Sequence, residues 1–317
     1  MLSKAKLALA LGTLIFMMIG WAVPLWGAAH SSAYSQGRIQ RPEPSPLALA
    51  PIRFREDRNA GLLVTGWING SGPFTFAIDT GAGASIVNRK VAEVARLRIT
   101  KAKRALVGGL STLRIASNEE AHADRLALGT SSNVLPSTPS LAIVQALPRS
   151  IDGILDPTEL FGSLAYSIDL PNRQLLVFEA KANGLDLSHS PRDGAVVRWV
   201  REDGSERPFV RLGDGRLALL DTGSGFGLAV NQGVVSNSRN HGRREVGDLG
   251  GGAVQSREIS PATISIGALV LRGVPTDLLI GVPSGTPLIL GRRALDPFKI
   301  TFDPAARLIA FEPTERP

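Results

Sequence analysis

The chain contains no cysteine, which excludes disulfides, thiolate metal sites and a cysteine nucleophile. Histidine is nearly as scarce: His30, His122, His189 and His241 are the full set, and none falls in a metal-ligand spacing, so a zinc enzyme is not expected. After the first 29 residues no stretch is long and apolar enough to span a membrane. What is plentiful is glycine and proline, 34 and 21 of 317 residues, which favours many turns and therefore strands over a helical bundle. A hydrophobic share of 44% belongs to a globular chain, and 317 residues make one large domain or two modest ones.

Lys4 and Lys6 precede an apolar run from Leu7 to Val23, then Pro24 and the small residues Gly27, Ala28 and Ala29. A basic start, an apolar stretch and a small-residue site describe a secretory signal peptide over residues 1–29. The run is also long enough for the alternative of an uncleaved membrane tether through residues 7–26. Either way the expected location is periplasmic or secreted, with membrane anchoring as the other form. Cleavage after Ala29 would leave 33 basic against 28 acidic side chains, a formal +5. The arginines are scattered apart from Arg239, Arg243 and Arg244 in the polar segment 236–248, which reads as a solvated basic loop. No aromatic residues interleave with them, so no nucleic-acid partner is expected.

Residues 30–50 are rich in Ser, Pro and Gln without periodicity and read as a disordered tether. Beyond them the sequence describes itself twice. In the first half Leu62–Ile68 ends at Asn69-Gly70, and Phe74–Ile78 returns into Asp79-Thr80-Gly81. In the second half Phe209–Leu212 reaches Asp214-Gly215, and Leu217–Leu220 runs into Asp221-Thr222-Gly223. Asn-Gly and Asp-Gly between apolar runs signal hairpins whose turn residues need φ > 0. Downstream, Gly153-Ile154-Leu155-Asp156 lies 77 residues after Asp79, and Leu288-Ile289-Leu290-Gly291 lies 70 after Asp221. Ser167-Ile168-Asp169 and Thr301-Phe302-Asp303 follow 13 and 12 residues later. This is a duplicated lobe rather than a solenoid. The first lobe is expected over 51–182 and the second over 194–317, divided in the polar stretch 181–193. One short helix is expected per half; 89–97 has suitable spacing, and 160–165 is a weaker candidate.

Two such turns meeting about a two-fold axis would bring Asp79 and Asp221 side by side. Like charges a few Å apart cannot both ionise, so the pair would hold one proton. One carboxylate then serves as general base on a water while its protonated partner polarises a carbonyl. Neither metal nor cofactor is needed.

These loops, Phe76–Ser85 and Leu219–Gly225, resemble the active-site loops of aspartic proteases, the pepsin and retropepsin superfamily, and Leu288–Gly291 looks like its second signature. The resemblance covers about residues 50–315. It implies a mostly β fold of two pseudo-symmetric, β-barrel-like lobes with few short helices. It also implies an aspartic endopeptidase acting on peptides or unfolded proteins, as a monomer with an internal pseudo-two-fold. Asp79 and Asp221 would be the catalytic pair. Thr80 and Thr222 would brace the loops through hydroxyl hydrogen bonds, Gly81 and Gly223 would donate N–H groups to the carboxylates, and Ser224 would hydrogen-bond its Asp.

Two departures stand out. Asp156 replaces the family's glycine, at a position expected to need φ > 0, and it motivates the rival reading of a non-catalytic peptide-binding module on the same fold. The flap tyrosine of pepsin-type enzymes is missing. Val107-Gly108-Gly109-Leu110 and Leu249-Gly250-Gly251-Gly252 instead resemble retropepsin flap tips, with plain hairpin turns as the alternative. Asp169 and Asp303 read as turn caps, and Trp67 and Trp199 as core aromatics.

Overall fold

Asn69 and Gly70 take φ of 50° and 80°, the left-handed pair that a tight hairpin needs, and they join the strands Gly61–Ile68 and Ser71–Ile78. The matching hairpin, Ser205–Arg211 with Leu217–Asp221, closes differently. There only Gly215 has positive φ, at 88°, and Asp214 instead accepts the Arg216 N–H on its carboxylate. The chain is described by a computed structural model over residues 49–314, except 108, 111–114, 146, 182–184, 203–204, 232–241, 248–251 and 284. The leader and most of the tether therefore lie outside the described residues. Its last two residues are held: Asn133 bonds both the N–H and the C=O of Ala50 at 3.0 Å, and Leu49 packs on the core.

In each half the return strand of the hairpin runs parallel to a short apolar strand that belongs to the second motif. Ser71–Ile78 pairs with Gly153–Leu155, and Leu217–Asp221 pairs with Leu288–Gly291. These motif strands are bracketed on their other side by Ile86–Asn88 and Leu228–Val230. The result is one nine-stranded sheet from the first half and one eight-stranded sheet from the second. A third sheet of six strands draws on both halves, and its centre is the antiparallel pair Ala165–Asp169 and Phe298–Asp303. The architecture is mostly β, as the duplicated strand pattern implies, and residues 45–317 form one compact unit.

Three short helices interrupt the strands among the described residues. The first, α1 (Arg89–Val94), is capped by Asn88, whose side chain accepts the Val91 N–H at 2.8 Å. It stops short of the expected Leu97 because Arg96 turns to φ 52° and Leu97 N–H bonds back to Ala92 O. The second, α2 (Pro157–Phe161), begins earlier than expected: Asp156 is its N-cap, Pro157 its first residue, and Gly162 at φ 59° ends it. Ala165 already belongs to the next strand. The third, α3 (Arg292–Leu295), is the one helix expected for the second half, whose position the sequence did not locate; among the described residues the first half has two, not one. No helix among the described residues is long and apolar enough to cross a membrane.

The sheet shared by the halves carries the densest aromatic packing. Tyr166 stacks on Phe302 at 4.7 Å between centroids, and Trp199 meets the same ring edge-on at 5.9 Å. Beside them Ser167 and Thr301 join their hydroxyls across the two halves at 2.7 Å. Phe302→Ala should therefore cost about 3–5 kcal/mol, read as a lowered midpoint in denaturant unfolding. A loss below about 1 kcal/mol would show that the aromatic stack does not hold the halves together.

Candidate active site

The two Asp-Thr-Gly turns meet at the ends of their strands, and the threonines interlock. Thr80 N–H donates to Thr222 Oγ1 at 3.1 Å, and Thr222 N–H donates to Thr80 Oγ1 at 3.0 Å. Each hydroxyl then donates onward, Thr80 to Leu220 O at 2.7 Å and Thr222 to Ile78 O at 3.1 Å. Both side chains are fully buried. Two N–H groups, two hydroxyls and two carbonyls are thereby satisfied across the interface.

The same turns bring Asp79 and Asp221 within hydrogen-bonding reach of each other. The glycines explain how they come so close. A Cβ on Gly81 would lie 2.6 Å from Asp221 Cγ, and one on Gly223 would overlap the Asp79 carboxyl. Each glycine is thus needed for the other lobe's carboxyl rather than for any unusual φ. Gly81 N–H donates to Asp79 Oδ1 at 2.8 Å. Gly223 N–H also favours the charge on Asp79, across the lobes, and not that on its neighbour Asp221. Asp221 Oδ1 accepts from the backbone N–H of Ser224 at 2.9 Å, while the Ser224 hydroxyl turns away to accept from Phe226 N–H.

Burial pushes both carboxyls above the ordinary range, but unequally. For Asp79 the rise from burial is opposed by the Gly81 and Gly223 N–H groups, by the hydrogen bond with Asp221 and by the Arg292 charge. Asp221 stands well above its ordinary value, because burial is reinforced by the negative charge of Asp79 and by the bond between the two, with less opposition from Ser224 and Arg292. The two therefore share one proton between them, and Asp79, with backbone donors from both turns against one for Asp221, is the better placed to carry the charge.

Arg292 is a site residue that the sequence reading missed. It is 3% exposed and uses all five of its N–H groups. Nη1 donates to Thr222 O and Gly223 O at 2.8 and 2.9 Å, Nη2 to Asp57 O and Arg58 O at 3.1 and 3.2 Å, and Nε to Glu56 at 3.1 Å. It therefore ties the second lobe's turn to residues 56–58 of the first while adding a fixed positive charge behind the pair. The only hint in sequence is its place directly after Leu288–Gly291.

Asp156 is corrected in two respects. Its φ is −78°, not positive, and its side chain caps α2 by accepting Thr158 N–H at 2.9 Å. Nor does Gly291 need positive φ, at −100°; a Cβ there would come within 2.6 Å of Phe226 O. The family glycine answers a steric need in the second lobe that the first lobe lacks. Asp152 accepts Thr75 N–H, and Asp169 and Asp303 cap turns through Asn172 and Ala306. Trp199 is buried, whereas Trp67 is half-buried.

Gly109 and Gly252 sit between paired strands, Arg98–Val107 with Ile115–His122 and Arg243–Gly247 with Ala253–Ile266. Gly108, Gly250 and Gly251 lie outside the described residues. Leu110 packs against the second half's cluster of Phe226, Val254 and Ile289, so the hairpin that carries it reaches the other half. Where it is described, the basic segment is a largely exposed strand, Arg243–Gly247, rather than a loop. Arg244 holds Asp277 through two bonds of 2.9 Å and lies over the Phe226 ring. Among the described residues no group of three or more His, Asp or Glu side chains is gathered to hold a metal ion.

Residues 64–155 match the model of a family described as aspartyl protease. The match runs from the first hairpin through the first turn to Leu155, and the second turn lies outside it. No curated protein matches the sequence.

Replacing either threonine by valine leaves a buried N–H and a carbonyl unpaired. Thr80→Val and Thr222→Val should each cost about 1–3 kcal/mol, and the double variant clearly less than their sum. Additive losses in urea unfolding would mean that the two hydroxyls act independently. Arg292→Lys, with a point charge in place of the fork, should cost about 3 kcal/mol in the same measurement.

Proposed function

Since the chain is a member of the aspartic protease superfamily, we propose that it is an endopeptidase that hydrolyses peptide bonds with water activated between Asp79 and Asp221. The observation that carries this reading is the pair itself: two carboxyls within hydrogen-bonding reach, Asp79 buried and Asp221 half-buried, each lying against the glycine of the opposite turn. Asp79 as carboxylate takes a proton from the water as it attacks the scissile carbonyl carbon. Asp221 as acid gives its proton to the carbonyl oxygen, which becomes a hydroxyl of the tetrahedral intermediate and returns that proton to Asp221 on collapse. Collapse of that intermediate passes a proton to the leaving amine and restores the pair to one proton. No bond to the protein forms at any step.

The threonine lock and Arg292 support the reading by holding the two oxygens in place without touching substrate. The substrate class is a peptide or unfolded protein segment lying extended in the cleft, where main-chain bonds give affinity. The hairpins around Gly108-Gly109 and Gly250-Gly251 serve as flaps, and the reach of Leu110 onto Phe226 and Ile289 supports a lid that must lift to admit a chain. The non-catalytic alternative was motivated by Asp156, and its accommodation as a helix cap removes that motive. Export to the periplasm or beyond, with or without a retained membrane tether, is proposed from the leader sequence.

Cleavage of a denatured protein should be lost by about 10³-fold or more in Asp79→Asn and in Asp221→Asn, measured from pH 3 to 7. Equal turnover by both variants and the wild type would rule the mechanism out.

A further inference from the structure

Asp156 is opposite the catalytic pair in the sheet itself. Gly153, Ile154 and Leu155 pair in parallel with Phe76, Ala77 and Ile78, and Asp79 N–H bonds Leu155 O at 3.0 Å. The next step of that register sets Asp156 beside Asp79, just as Asp221 pairs with Gly291 in the other lobe. Neighbours in register point to the same face, about 5 Å apart. The second lobe therefore has no side chain where the first has a third carboxyl.

That carboxyl is 3% exposed. Its partners are the Thr158 N–H at 2.9 Å and the Thr158 side chain, whose hydroxyl lies 3.2 Å from the buried Tyr166 hydroxyl. The charged or titratable groups facing it are Asp79 from the catalytic turn, Glu159 from α2 and Tyr166 from the shared sheet. None of these is a cation. Burial, and then the charges of Asp79 and Glu159, push Asp156 up to about 7 against the opposing Thr158 N–H. The coupling with Asp79 is reciprocal by linkage, so a charge on Asp156 must make the pair hold its proton more tightly.

We propose that Asp156 is a positioning residue for the pair's proton, a third acid of the site whose ionisation keeps Asp79 and Asp221 singly protonated to higher pH. In the second lobe the fixed charge of Arg292 acts the other way, lowering both members of the pair. Asp156 offsets it from the first lobe, and only when the solvent is alkaline enough to charge it. The proposal rests on the proteolytic reading above for its effect on turnover, but not for its effect on stability.

Asp156→Asn keeps the size and the capping oxygen while removing the ionisation; Asp156→Gly removes both. The alkaline limb of kcat/KM should move to lower pH by about half a unit to one unit in both variants. If Asp156 only caps α2, Asn will match the wild type and Gly alone will differ, which overturns the proposal. Thermal melts test the proton without needing turnover. A folded-state pKa raised from 3.8 to about 7 contributes stability that is full at acid pH and lost as pH rises between those values. The wild type should therefore lose melting temperature across that window, and Asp156→Asn should lose less. In an Asp79→Asn background, without the neighbouring charge, the wild-type Asp156 loss should move to lower pH. Parallel melting curves for all these proteins would overturn the proposal. Absent turnover by the wild type, with the melting shifts present, would sink the proteolytic reading but leave the coupled proton standing.

Discussion

Two carboxyl groups buried against one another can carry one negative charge between them, and that restriction organises everything around Asp79 and Asp221. A second charge at this separation would be opposed by repulsion and by the loss of water from both groups. The chain meets the restriction with backbone donors. Gly81 serves Asp79 from its own turn, Gly223 serves it from the opposite one, and Ser224 serves Asp221. The donors are unequal, with two backbone N–H groups on Asp79 and one on Asp221, so the two carboxyls have different surroundings. The glycines make this possible by omission: a side chain on either would occupy the space of the facing carboxyl.

The duplication is symmetric in backbone and asymmetric in charge. Both return strands run parallel to a short motif strand and end in the same turn. Immediately behind those turns, one lobe has Asp156 capping a helix and the other has Gly291 followed by the arginine that reaches across to residues 56–58. A pair related by strict symmetry would have no reason to prefer one protonated member. Departure from symmetry at these positions gives the two carboxyls different surroundings, so their roles can differ.

Much of this was readable in the sequence because it rests on local signals. Asn69-Gly70 needs left-handed backbone at both residues and has it, and the two Asp-Thr-Gly turns follow apolar strands as hairpin logic requires. The start of α2 was also written locally, as Asp156-Pro157-Thr158-Glu159, an N-cap with proline at the first helical position. It was overlooked because Asp156 was judged against the glycine of a family pattern and not as a cap. Arg292 and Arg244 were beyond reach for a different reason. Their partners, Glu56 and residues 57–58 for one and Asp277 for the other, are distant in sequence, and nothing near an arginine in the chain says what it will pair with. Gly291 shows the same limit, since its need for a missing Cβ comes from the chain at Ser224 and Phe226.

The separation between the two acids is set twice over, by the threonine lock at the turns and by the six-stranded sheet that both halves build. Tyr166 connects these two supports. Its ring stacks on Phe302 within the shared sheet, and its hydroxyl meets Thr158, the residue that also bonds Asp156. A continuous buried path of side chains thus runs from the aromatic centre of the shared sheet to the carboxyl beside Asp79. Rocking one half against the other would break the stack, the Ser167–Thr301 bond and the threonine lock together. On the proposed function, the opening that admits a substrate would therefore fall to the outlying hairpins. Leu110 meets the second half there through apolar contacts with the cluster of Phe226, Val254 and Ile289.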